Sequence, residues 1–242
     1  MIHQSTIALV TGANKGIGFE ICRQLGERGV TVLVGARDER RGEEAADKLV
    51  ALGVDARFVR LDVTDQASID RAGDWIASTF GRLDILVNNA GIFLPEGLPS
   101  ELDVDTMKAV YETNVFGVFR VTKAMLPFLR RSPSGRIVNM SSSLGSLGCQ
   151  SDPNFELASF LVLAYNSSKT AVNAMTVMFA NELRGTNIKV SSADPGYCAT
   201  SLTNYGGSRS PAEGARAAVR LATLPDDEPS GGFYNDQGRL AW

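Results

Sequence analysis

The sequence predicts an α/β fold: one parallel sheet with helices on both faces, in a single domain over residues 1–242. Three observations predict it. Short β-branched apolar runs alternate with longer amphipathic stretches along the whole chain, which is the pattern of repeated βα units. No linker or low-complexity stretch interrupts that alternation. The polar and glycine-rich stretches fall just after the apolar runs, at the strand ends where open α/β sheets bind ligands.

Taken in order, "TIALVTG" at 6–12 is a buried strand, and "GFEICRQLGERG" at 18–29 has apolar positions at helical spacing and closes on Gly29. "VTVLVGAR" at 30–37 is the second strand, followed by the charged helix "DERRGEEAADKLVALG". "DARFVRLDVTD" holds the third strand, "QASIDRAGDWIASTFG" is helical, and "LDILVNNAG" at 83–91 is the fourth strand. A long helix covers about 103–131, "GRIVNMSSS" is the fifth strand, and another helix begins near 162. "NIKVSSADPG" is the sixth strand, "SPAEGARAAVRLA" a final helix and "GGFYND" a short seventh strand.

Composition narrows the function. A net charge of −3, from 24 basic and 27 acidic residues, argues against a general nucleic-acid surface. No run of 18 apolar residues predicts a membrane span, and the N-terminus lacks the charged and apolar regions of a signal peptide, so a cytoplasmic protein is expected. Cys22, Cys149 and Cys198 are far apart and odd in number, which predicts reduced thiols and no metal-ligand spacing. His3 is the only histidine, so neither a histidine-based triad nor a zinc site is expected.

The turn after the first strand, "TGANKGIG", carries glycines at 12, 16 and 18, with Asn14, Lys15 and Ile17 between them. Gly12 permits a tight turn, and Gly16 and Gly18 let backbone amides and a helix N-terminus approach a pyrophosphate. At the end of the second strand an acidic residue would bind the ribose 2′-hydroxyl of NAD. Here Ala36 and Arg37 stand there, with Lys15 inside the glycine turn. Two cations and no carboxylate suit a 2′-phosphate, so NADP is expected over NAD. Asp38 follows at once and would weaken that reading if it faced inward.

The motifs "TGANKGIG", "LDVTD", "LDILVNNAG", "NVFG", "IVNMSS", "YNSSK" and "DPGYCAT" occur in the order of the short-chain dehydrogenase/reductase family. The chain resembles that family along nearly its full length, and "ALVTGANKGIGFEICRQL" resembles its carbonyl reductase branch. The resemblance implies a Rossmann-type doubly wound sheet of about seven strands, in the order 3-2-1-4-5-6-7. It also implies roles: Asp62 and Val63 at the adenine; Asn88 with Asn89, Ala90 and Gly91 along the cofactor floor; Asn114, Ser142, Tyr165 and Lys169 as the catalytic set. Pro195, Gly196 and Thr200 would hold the carboxamide end of nicotinamide, and Lys169 the nicotinamide ribose. Asn114 would help hold a water that relays protons from Lys169.

The chemistry has a physical basis. Tyr165 and Lys169, at i and i+4, share a helix face, so the ammonium is expected to lower the phenol pKa from about 10. Such a phenol can protonate a carbonyl oxygen, and the Ser142 hydroxyl can steady the same oxygen. The reading is an NADPH-dependent reduction of a small-molecule ketone or aldehyde. Two alternatives stand beside it: reduction of a 3-ketoacyl group on an acidic carrier, which would need a basic docking patch, and a non-enzymatic NADP sensor, which intact Tyr165 and Lys169 disfavour. Phe93, Leu94, Phe155, Tyr197 and Tyr205 are expected to line an apolar substrate pocket.

One spacing departs from the family. Tyr165 follows Ser142 by 23 positions, an excess of about ten residues over the usual member, and such loops are often functional. The carbonyl reductase branch resembles this chain in having an insertion there, packed over the helix face that other members use for dimerisation. Residues 148–161 are therefore expected to shield that face, favouring a monomer, and to wall the substrate pocket.

Overall fold

The computed structural model describes residues 6–242, so His3 lies outside the described residues. Seven strands form one sheet in the order β3-β2-β1-β4-β5-β6-β7, every neighbouring pair parallel. They are β1 (Ile7–Thr11), β2 (Thr31–Ala36), β3 (Ala56–Arg60), β4 (Ile85–Asn88), β5 (Gly135–Met140), β6 (Ile188–Ala193) and β7 (Gly232–Tyr234). Class, strand count and order are those expected from the sequence.

Alternation along β1 shows how the sheet makes two cores. Ala8 and Val10 join Ile21, Cys22 and Leu25 of helix α1 (Gly16–Gly26) on one face. Ile7 and Leu9 join Ile69 and Ile76 of α3 (Gln66–Phe80) on the other. Helix α2 (Glu39–Ala51) packs on the first face through Leu49. Caps mark the helix starts: Asp38 accepts from the Arg41 amide at α2, and Asp65 from the Ala67 amide at α3.

The long helix expected over 103–131 is a single rod with an internal change of pitch. Helix α4 (Val104–Tyr111) runs into a π-helical turn over Glu112–Gly117 and continues as α5 (Val118–Leu129). Periodicity could not reveal the turn, because it adds a residue without ending the apolar pattern. Gly117 sits where a Cβ would come 2.8 Å from Val63, which explains a glycine at the end of the turn. The later helices are α6 (Leu147–Gln150), α7 (Leu163–Glu182) and α8 (Pro211–Ala222), the last started by a Ser210–Glu213 capping box. No helix among the described residues is long and apolar enough to cross a membrane.

A buried polar chain ties three strands to α7. Asn88 of β4 donates to the Thr122 hydroxyl (2.9 Å) and to Asn139 Oδ1 of β5 (2.8 Å). Asn139 Nδ2 donates to the Thr176 hydroxyl of α7 (2.8 Å), which meets the Ser192 hydroxyl of β6 at 2.8 Å. Asn139→Ala would leave Asn88 and Thr176 each short of a buried partner. We expect a loss of about 2 kcal/mol or more in guanidinium unfolding; an unchanged midpoint and slope would show that the chain carries no net stability.

Candidate active site

The carboxyl ends of the strands open onto one cavity of about 530 Å³. Its floor at β1 is the glycine turn. Gly12 has φ 63°, and a Cβ there would come 2.9 Å from Ala90 Cα; a Cβ on Gly18 would come 2.5 Å from Asn89 Nδ2. The turn therefore lies flat against the "NAG" segment, and Asn89 secures it by donating to the Thr11 and Gly12 carbonyls at 2.8 and 3.2 Å. Helix α1 starts at Gly16 with no side-chain cap from Lys15, so its first N–H groups are open to a ligand. Asn14 and Ile17 line the same floor, and Thr200 faces Gly16 from the opposite wall, 3.5 Å from where a Cβ would stand.

Lys15 and Arg37 line the cavity beyond the end of β2, and Arg41, in the first turn of α2, joins them. Sequence reasoning missed Arg41. Its position, one helical turn past Arg37 at a helix start, was the available signal. Asp38 also borders the cavity, but its Oδ1 accepts from the Arg41 amide at 2.9 Å, so the carboxylate serves the start of α2. Asp62 and Val63 line the cavity; Asp62 Oδ1 accepts from both the amide and the hydroxyl of Thr64.

Ser142, Tyr165 and Lys169 line the far half of the cavity, with Gly91, Pro195 and Gly196. All three serines border the cavity, but they differ in their hydrogen-bond partners. Ser141 is buried and donates to the Lys169 carbonyl at 3.3 Å; Ser142 faces the cavity, its hydroxyl accepting from the Leu144 amide at 3.2 Å; Ser143 bonds to the carboxyl group of Asp194. Asp194, buried at the end of β6, also accepts from the Gly196 amide at 3.0 Å, and burial pushes its carboxyl above the usual range.

Asn114 stands behind the wall and is not part of it. Its Oδ1 accepts from the Ile92 amide (2.8 Å), and its Nδ2 donates to the Ile92 carbonyl (2.9 Å) and the Ser168 hydroxyl (3.1 Å). Both Nδ2 hydrogens are engaged, and the π-helical turn supplies the offset that brings the side chain to Ile92.

The electrostatics differ from the sequence expectation. The Lys169 ammonium donates to the Met140 carbonyl at 2.8 Å and lies over the Tyr165 ring, 5.6 Å from its centroid. Burial dominates both groups. It pushes the Tyr165 phenol well above its ordinary value, reinforced by the nearby Asp194 charge, and pulls the Lys169 amine down to about 8. The i, i+4 spacing predicted contact but not this balance.

Of the expected substrate-pocket residues, Phe93 and Tyr197 line the cavity, and Leu94, Phe155 and Tyr205 do not. Phe93 stands edge-on to Tyr165 at 5.8 Å. Phe155 is half-buried between exposed neighbours, outside the wall. Tyr205 sits in a left-handed turn at φ 61° that leaves it 72% exposed. Leu157, Phe160 and Val162 take their places, and Phe160 meets Tyr197 across the mouth at 6.3 Å.

Residues 148–161 thus wall the cavity, but the expected shield over a helix face is not seen. The Gly148 amide donates to the Trp242 carbonyl at 2.7 Å, and the Trp242 ring stacks on Phe233. Phe116 (48%), Phe119 (44%) and Met178 (61%) on the π-turn, α5 and α7 stay exposed. The expectation of a monomer loses the shielding on which it rested. Cys22 and Cys198 are buried free thiols, and burial raises Cys198 to about 11.

The profile of the short chain dehydrogenase family matches residues 6–209. The chain belongs to that family. Such enzymes are oxidoreductases acting on CH–OH and C=O groups, and this chain groups with the carbonyl reductase-like members. It is 36% identical to (−)-isopiperitenone reductase of Mentha piperita, over 100% of this chain and 99% of that one. The structure of salutaridine reductase from Papaver somniferum superposes with a TM-score of 0.83 at 33% identity, covering 95% of this chain and 99% of that one. An NADPH-bound carbonyl reductase from chicken fatty liver superposes with a TM-score of 0.86 at 27% identity, covering 99% and 100%.

The depressed Lys169 amine has a consequence for stability. Below about pH 8 it is protonated in both folded and unfolded chains, and the cost of burying the charge is present in full. Between about 8 and the unfolded value of 10.5 the unfolded chain binds the extra proton, so this group makes stability rise with pH. Urea unfolding at pH 7.5 and 9.5 should show a smaller gain for Lys169→Met than for the parent; equal gains would place the amine in water.

Proposed function

We propose that this chain is an NADPH-dependent carbonyl reductase acting on a ketone or aldehyde. The observation that carries the reading is that one cavity is lined at one end by a glycine turn and three cations and at the other by Ser142, Tyr165 and Lys169. The reductase names of the three relatives, one of them NADPH-bound in its structure, agree with it.

The cavity fits the cofactor. Gly12, Gly16 and Gly18 with the uncapped start of α1 suit a pyrophosphate, and Lys15, Arg37 and Arg41 suit a 2′-phosphate. Asp38 also lines this end, with Oδ1 engaged by the Arg41 amide, so three cations stand there against one carboxylate already in use as a helix cap. Lys169, close behind Gly91, and the Pro195–Gly196 turn would hold the nicotinamide end. NADPH, when bound, supplies the hydride.

The protein supplies the rest. The Tyr165 phenol is protonated at neutral pH, the form that a general acid needs when a carbonyl oxygen gains negative charge, and burial makes it a weaker acid that a nearby positive charge must assist. The Ser142 hydroxyl can donate to the same oxygen, because its own contact is one in which it accepts. Lys169 stands over the phenol ring, where a positive charge would favour phenolate once the proton has left. Asn114 acts through Ile92, holding the start of the loop that carries Phe93. Phe93, Leu157, Phe160 and Tyr197 offer an apolar, aromatic-walled space suited to bulky carbonyls.

Oxidation of NADPH over a panel of aldehydes, aryl ketones, cyclic ketones and ketoesters tests the reading; binding without turnover on any of them would leave a sensor instead. Tyr165→Phe should lower kcat by about a hundredfold or more while NADPH affinity is kept. Wild-type turnover in that variant would remove the phenol from the reaction. Arg37→Asp should move the kcat/KM ratio of NADH to NADPH upward by about tenfold or more, the scale of one charge-assisted hydrogen bond. A ratio that does not move would take Arg37 off the phosphate.

A further inference from the structure

Helix α7 carries Tyr165 in its first turn, yet its own N-cap residue, Val162, offers those N–H groups no side-chain acceptor. The acceptor comes from far away in the chain. Glu96, in the connection between β4 and α4, receives the Ala164 amide on Oε2 at 2.8 Å and the Tyr165 amide on Oε1 at 3.3 Å. Ala164 and Tyr165 are the second and third residues of the helix, the donors that an N-cap side chain would normally satisfy. A carboxylate there also meets the positive end of the helix dipole.

The same connection grips the site at two more points. Ile92 is paired in both directions with Asn114, and Phe93 stands edge-on to the Tyr165 ring at 5.8 Å. Glu96 itself does not line the cavity, whereas Phe93 and Val162, on either side of the junction, both do. We propose that Glu96 is a positioning residue for Tyr165: its two-point cap fastens the cleft-side loop to the first turn of α7 and so sets where the phenol stands. The inference rests on the reading of Tyr165 as the proton donor. Without the carboxylate, the first turn of α7 has two orphan amides and no local cap. It frays, and the phenol moves with it. Displacements of about 1 Å at a reacting group cost up to about a hundredfold in rate. A substrate seated against Phe93 and Val162 would press on both sides of this junction, so loop position and phenol position change together.

The test compares wild type, Glu96→Ala and Glu96→Gln at 25 °C. NADPH affinity is read by fluorescence titration, kcat on the best carbonyl of the panel, and exchange of the 163–166 amides by mass spectrometry. The alanine variant should lose about tenfold or more in kcat, keep its NADPH affinity within about twofold, and exchange those amides faster. The glutamine variant retains one acceptor oxygen and should fall between. Wild-type kcat in the alanine variant, or a kcat loss matched by loss of NADPH affinity, overturns the proposal. If the alanine variant does not fold, the glutamine variant decides in the same way: reduced kcat at unchanged affinity supports the cap, and wild-type kcat overturns it. A wild type that binds NADPH and reduces nothing overturns the functional reading, while the amide exchange still reports on the cap.

Discussion

The edge of the cavity that carries Tyr165 and Lys169 depends on the register of α7 against the sheet, and one line of buried polar side chains joins the two. Asn88, Asn139, Thr176 and Ser192 join β4, β5, α7 and β6 by side-chain contacts of 2.8 Å. Apolar packing alone would tolerate a helix rotated or shifted by part of a turn, because oil-like contacts are not directional. Buried amides and hydroxyls are directional, and an unmatched one is costly. Two turns along α7 from Thr176 the helix presents Lys169, whose amine reaches the Met140 carbonyl, and one turn further Tyr165. A misplaced Thr176 would misplace both.

Around that fixed helix the site is assembled from segments that each do one mechanical task. The strand-five exit lays three serines along the cavity, bonded to the helix backbone, the Leu144 amide and Asp194 in turn. The π-helical turn swings Asn114 onto Ile92 and so steadies the loop that brings Phe93 over the phenol. Burial then sets the proton inventory: a phenol that resists ionising beside an amine lowered to about 8. Lys169 and Asp194 are buried and little screened by water, whereas Lys15, Arg37 and Arg41 at the other end of the cavity are exposed.

Much of this was legible in the residue string. The parallel sheet and the placement of motifs after strands follow from alternation, a long-range regularity that single residues cannot hide, while the strand order came with the family resemblance that the motifs carry. The glycine turn was legible because Gly12 and Gly18 stand where any Cβ would collide. What could not be read was direction. Tyr205 looked like a pocket aromatic, but a left-handed turn points it to solvent; Leu94 and Phe155 failed for the same reason, residue type being silent about orientation. The π-helical turn adds a residue without ending the apolar pattern and so left no trace. The phenol's response to its lysine depended on burial, which spacing does not measure. The insertion's apolar residues predicted that it would pack, and not on what.

Asp38 carries a consequence for how cofactor use could change. Its carboxylate lies beside Arg37 and Arg41 on the cavity wall but caps the start of α2. Turning it inward would recruit an acid at the cost of the cap, so one change would disturb the very helix that presents Arg41. Ala36, buried at the end of β2, has no such duty. A lineage drifting from one dinucleotide to the other would find the residue two places earlier the freer one to alter, and the acid already in hand the harder to use.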